Sequence, residues 1–119
     1  VYGENEFLLT GDSPTNIEDY LVSLSQGETL GNGPKGLPLG LQSDVLKAGH
    51  HGSRTSTGQS FVAAVSPEYA VISAGRDNRY GHPHQEVLDN LNNAQVKILR
   101  TDLDGRIVFE SDGVNLKLK

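Results

Sequence analysis

Three short apolar runs in this chain each end in glycine and open into polar residues: "FLLTGD" within Glu6–Asp12, "DVLKAGHHGS" from Asp44 and "YAVISAGRDN" from Tyr69. Runs of that length bounded by turn formers read as buried strands. Helical spacing fills the stretches between them, so the chain must alternate strands with helices. Thr15 and Glu18 have the form of a capping box, and Ile17, Tyr20, Leu21 and Leu24 recur at i, i+3, i+4 and i+7, which predicts a helix from near Asn16. "SFVAAV" (Ser60–Val65) reads as the centre of a second helix that Pro67 helps end. Pro83 suits the first position of a third helix, in which Val87, Leu88 and Leu91 share a face, and "QVKILRT" follows as a strand. Asp104–Gly105 and Asp112–Gly113 are turn signals around "RIVFES" and "VNLKLK", predicting a terminal meander. Gln26–Ser43 holds five glycines and two prolines without a period and reads as a flexible Gly/Pro-rich loop.

The 119 residues therefore predict a single α/β domain spanning the whole chain. No run approaches the roughly 18 apolar residues of a membrane span and no signal-peptide order opens the chain, so a soluble chain is expected. Its lack of methionine suggests that Val1 marks a boundary inside a longer protein. Without cysteine, disulfides and thiolate metal sites are excluded, which leaves His, Asp and Glu for metal chemistry. A net charge of −5 argues against gripping nucleic acid by bulk electrostatics.

The four histidines all lie between His50 and His84, in segments that follow predicted strands. Ligands of open α/β sheets bind beyond the carboxyl ends of strands, where the loops after "LLTGD", "LKAG" and "ISAG" would converge. Asp12 reads either as a metal ligand or as a turn former. His50 and His51, if extended, point to opposite faces, so at most one is a direct metal ligand, and Gly49 and Gly52 let the backbone turn closely around them. His82 and His84 at i and i+2 share a face if extended, the alternative being a capping His82 and a solvated His84. Ser53, Thr55, Ser56 and Thr57 suit phosphate oxygens or, for Ser56 or Thr57, a helix cap. Asn78 fits a substrate amide or a turn. Lys47, Arg54, Arg76 and Arg79 place positive charge beside the histidines, which suits an anionic substrate such as a phosphodiester. No phosphate-binding G-x-x-x-x-G-K loop and no Gly-x-Ser-x-Gly elbow is present.

Taken in order, "FLLTGD", "DVLKAGHHGSRTST", "PEYAVISAGRDNRYGHPH" and "ILRTDLDGRIVFESDG" resemble the C-terminal half of the metallo-β-lactamase-like domain of ComEC/Rec2-type DNA-internalisation competence proteins. The resemblance implies half of an αββα sandwich: a mixed sheet with helices on one face and a terminal β-meander. It implies a hydrolase of the nuclease or phosphodiesterase class whose full domain holds two zinc ions, with manganese as the alternative, to activate water. On that reading Asp12, His50 and His82 are metal ligands, although His50, His51 and His82 compete for the last position. His51 and Asn78 are catalytic, and Ser53, Arg54, Arg79 and His84 bind substrate. DNA is the implied substrate. The implied parent is a bacterial cell-membrane protein with a channel portion, the domain lying outside the cytoplasm. The family's His-x-His-x-Asp-His motif is not in these residues, so the isolated chain is expected to fold but not to hydrolyse. The alternative reading is a non-catalytic DNA- or partner-binding module on the same fold.

Overall fold

A computed structural model describes residues 1–26 and 40–119; most of the predicted Gln26–Ser43 loop lies outside the described residues. Strands and helices alternate as β1 (Phe7–Leu9), α1 (Thr15–Ser25), β2 (Val45–Lys47), α2 (Gln59–Val65), β3 (Tyr69–Ile72), α3 (Gln85–Asn93) and β4 (Lys97–Arg100). The four strands form one parallel sheet in the order β1-β2-β3-β4, with Phe7 opposite Val45, Val45 opposite Tyr69 and Tyr69 opposite Lys97. Sheet order follows chain order, so right-handed crossovers place all three helices on one face. There α1 packs on α2 and α2 on α3. Leu46, Ala70 and Ile72 point into this layer and meet Phe61, Val62, Val65, Val87 and Leu91, all buried.

The expected mixed sheet is corrected: the main sheet is wholly parallel, and the last two strands, β5 (Phe109–Ser111) and β6 (Leu116–Leu118), pair antiparallel in a sheet of their own. The cause is a single helical turn, α4 (Thr101–Asp104), that turns the chain off the sheet edge. The Arg100 N–H donates to the Asp104 carboxylate at 2.8 Å across that turn. Phe109 of the hairpin then packs edge-on against Phe7 (6.3 Å) and Tyr69 (5.3 Å), on the sheet face opposite the helices. At the other end of that face Leu9 is left 76 % exposed.

Two local expectations also change. Glu18 does not close a capping box, because the Thr15 N–H is already donated to the Thr55 carbonyl (2.8 Å). Glu18 is instead buried and accepts the Thr57 N–H (2.6 Å) and the Gly58 N–H (2.9 Å), which lead into α2. Burial raises its carboxyl above the usual range, against the pull of those two bonds. Pro83 precedes α3 rather than starting it, and His84 occupies the N-cap position.

A Cβ on Gly52 would lie 2.6 Å from Pro83 Cβ, and its φ of +80° is unfavourable to any side chain, whereas Gly81 has a φ of +69° with open space around it. Gly52→Ala should therefore cost roughly 2–4 kcal/mol and Gly81→Ala only about 1 kcal/mol, read from urea denaturation. In the hairpin turn, Asp112 accepts the N–H groups of Asn115 and Val114, which hold its carboxyl down at about 2. Its contribution to stability is complete above the unfolded carboxyl range and is lost as pH falls through about 2, so its NMR titration midpoint should lie there.

Candidate functional site

Parallel pairing sends the carboxyl ends of β1, β2 and β3 in one direction, and hydrogen bonds tie the loops that follow into one cluster. The His50 N–H donates to the Gly11 carbonyl (2.9 Å), linking the pair to the turn that carries Asp12. The His84 N–H donates to the Gly52 carbonyl (2.9 Å), and the Arg54 N–H donates to His84 Nδ1 (3.0 Å). Thr101 Oγ1 accepts the Ala74 N–H and donates to the Ala74 carbonyl, both at 3.0 Å, which anchors the third loop to the end of β4.

His50 and His51 are not extended. Both sit in the left-handed region, with φ of 46° and 57°, inside a short 3-10 segment. Non-glycine residues there cost about 1–3 kcal/mol each and persist only when their surroundings hold them. Here packing holds them: a Cβ on Gly49 would meet Ser56 Cβ at 2.9 Å, and Gly52 lies under Pro83. The two rings still diverge, 6.4 Å apart at 62°. His50 approaches His82 instead (5.8 Å), and His82 approaches His84 (4.8 Å), as expected of i and i+2 positions on one face.

Hydrogen bonds fix the proton positions of two of these rings. His51 Nδ1 lies 2.7 Å from the Ser73 carbonyl, which can only accept, so Nδ1 carries the hydrogen and Nε2 presents a lone pair. His84 is the reverse. Its Nδ1 accepts from the Arg54 N–H, so in the neutral ring Nε2 carries the hydrogen and is a donor. His82 is pushed below the ordinary imidazole range by burial and by the neighbouring His84, His50 and His51.

The hydroxyl residues serve the frame more than the surface. Neither Ser56 nor Thr57 caps α2, because Ser56 Oγ donates to the Ser13 carbonyl (2.7 Å) and Thr57 Oγ1 accepts the Gly49 N–H (3.2 Å). Ser53 is buried, with its hydroxyl 3.0 Å from that of Thr55. Asn78 donates to the Gly75 (2.9 Å) and His82 (2.7 Å) carbonyls and accepts the His82 N–H (2.8 Å), so its amide is fully engaged within the loop. Lys47 donates to the Ala48 carbonyl, and burial lowers its pKa against the opposing charge of Asp12. Arg54, Arg76 and Arg79 are exposed and take no part in the ion pairs of the described residues, Arg100–Asp102 and Lys119–Glu110.

Among the described residues no three His, Asp or Glu side chains gather closely enough to hold a metal ion. Among the described residues the donor set is thus partial. Of its rings, His51 has the arrangement usual in metal-bound imidazoles, Nδ1–H on a carbonyl and Nε2 free, while His84 has the opposite one. Sequence reasoning gave Glu18 a capping role in place of its hold on the loop before α2, and missed Tyr80, which is 77 % exposed and stacks on His82. An aromatic residue inside "RDNRYGHPH" was the available signal for Tyr80.

No protein-family model and no solved structure matches the chain. It is 44% identical over 109 residues, 92% of its length, to Competence protein ComA of Neisseria gonorrhoeae. It is 51% identical over 69 residues to ComE operon protein 3 of Bacillus subtilis and 34% identical over 105 residues to Recombination protein 2 of Haemophilus influenzae. The chain belongs to the ComEC/Rec2-type family of competence proteins. It spans 9%, 14% and 11% of the Bacillus, Neisseria and Haemophilus relatives.

Nitrogen-15 NMR at neutral pH should find His51 as the Nδ1–H tautomer and His84 as the Nε2–H tautomer. His82 should titrate below 6.5, so that acidification through the ordinary imidazole range costs stability: the unfolded chain takes up that proton first.

Proposed function

We propose that this segment is one wall of a hydrolytic site acting on the phosphodiesters of DNA during competence. The supporting observation is the placement of four histidines, one with its Nε2 lone pair free, together with three arginines that take no part in the ion pairs of the described residues, at one end of a parallel sheet. The charge distribution agrees. At the opposite end of the sheet a cavity of about 290 Å³ is lined by Glu4, Glu6, Asp44 and Glu68, which place four of the chain's 15 acidic residues away from the histidines. An anionic strand would be drawn to the arginine side and repelled from the other. The names of the relatives, competence and recombination proteins, support a place in DNA uptake.

On this reading Asp12, His50 and His82 are donors to a zinc site, with manganese as the alternative, and His51, whose Nε2 is the best prepared, competes with His50 and His82 for the last position. Further donors must come from outside the described residues. Zinc bound there would supply a Lewis acid and a water ionising near neutral pH. The chain's own residues do the rest: Arg54 and the Nε2–H of His84 bind a phosphate oxygen, Arg79 adds positive charge, and Asn78 holds the loop that carries His82. The two-layer arrangement, helices on one face and a partly uncovered second face at Leu9, supports half of an αββα sandwich. A non-catalytic DNA-binding module is the second reading, favoured by the incomplete donor set. A membrane-channel parent with this domain outside the cytoplasm is part of the proposal; among the described residues no helix is long and apolar enough to cross a membrane.

Zinc titrated into the chain should shift the ring nitrogens of His50, His51 and His82 and leave His84 Nε2 protonated. DNA should bind with an affinity that falls with salt, and Arg54→Ala should weaken it and flatten the salt slope by about one unit. The chain alone should not turn over a chromogenic phosphodiester. Absence of both zinc response and DNA binding would overturn the proposal, and turnover abolished by Asp12→Ala would overturn the incomplete site.

A further inference from the structure

Beside the histidine cluster lies a slot of about 180 Å³ lined by His51, Ala74, Gly75, Asn78, Tyr80 and His82. Tyr80 is the most exposed aromatic of the described residues at 77 %, yet its ring is ordered against its neighbour, 5.6 Å from the His82 ring centroid at an interplanar angle of 26°. One face of the phenol ring is therefore backed and the other is open. The slot offers few hydrogen-bonding groups: Ala74 and Gly75 bring no polar side chain, and the Asn78 amide is spent on Gly75 and His82. Such a surface reads π-faces rather than base edges. Arg76 and Arg79 flank it on the same loop, both exposed and in neither ion pair.

The geometry points to Tyr80 as a stacking platform that takes one unpaired nucleobase of a single strand into this slot, while Arg76 and Arg79 meet the adjoining phosphates. This rests on the nucleic-acid reading above and extends it from the phosphodiester to the base beside it. A duplex cannot offer a base face without unstacking it, so the slot selects single strands. With no free edge-reading groups on its walls apart from the His51 lone pair and the Tyr80 hydroxyl, it should accept thymine and adenine with similar affinity.

The test is fluorescence anisotropy of the chain with labelled oligothymidylate, oligodeoxyadenylate and a duplex of equal length. Tyr80→Ala should weaken both single strands about 5- to 100-fold. Tyr80→Phe, which keeps the ring, should restore binding, duplex affinity should be unchanged, and the salt slope should stay the same because no charge is removed. Equal loss on duplex and single strand, or no loss, would overturn the slot while the unaltered chain's DNA affinity left the functional reading standing. Failure of the unaltered chain to bind any DNA would instead overturn that reading. Thymidine monophosphate should compete poorly, and competition as strong as the oligonucleotide's would assign the slot to a free nucleotide and overturn the strand. Circular dichroism confirms the fold of each variant, which exposure of Tyr80 leads one to expect.

Discussion

The close approach of Gly52 to Pro83 is the contact on which the site depends. It brings the end of the β2 loop against the entry to α3, and nothing larger than a hydrogen atom fits between them. Once they touch, the His84 N–H reaches the Gly52 carbonyl and the Arg54 N–H reaches the His84 ring. The left-handed turn at His50–His51 is the consequence: the chain must reverse within four residues between Gly49, pressed on Ser56, and Gly52, pressed on Pro83. Backbone strain at the two histidines is thereby balanced by packing and hydrogen bonds around them, and their positions are set before any ligand arrives.

Glu18 supports the same turn from below. Its carboxylate draws the Thr57 and Gly58 N–H groups toward α1, and Thr57 in turn receives the Gly49 N–H. A buried carboxylate with two backbone donors tolerates little displacement, so hydrogen bonds tie α1, the hydroxyl loop and the histidine turn together. That explains why most of the hydroxyls of "SRTST" point inward. They are the joints of the frame, and the exposed chemistry of the segment is left to Arg54.

The alternation of elements could be read from the sequence because each signal is local: "VLK", "YAVI" and "KILR" are apolar runs between breakers, and Val87, Leu88 and Leu91 share a face within one helix. So was the convergence of the loops, which follows from parallel pairing. What was not legible depends on partners far along the chain. Glu18 looked like a capping residue because its true partners are 39 and 40 residues away. The left-handed turn at His50–His51 could not be read because the contacts that twist it involve Ser56 and Pro83. Tyr80 belongs to no periodic pattern, and only the His82 ring beneath it gives it a role.

Proton placement is the last such property, and it divides the labour among residues of one type. Four histidines share one row of loops without being equivalent. The Ser73 carbonyl and the Arg54 N–H separate them: one leaves His51 with a lone pair for a metal ion or a proton, the other leaves His84 with a hydrogen for an anion. A lone pair on His51 and an N–H on His84 therefore belong to one histidine cluster, in which burial and the neighbouring rings push His82 below the ordinary imidazole range. On the proposed reading, a phosphodiester would meet hydrogen-bond donors from Arg54 and His84 and an open coordinating nitrogen from His51. That polarity is built from backbone groups, so it should survive changes in the side chains around it as long as the Gly52–Pro83 contact holds the two loops together.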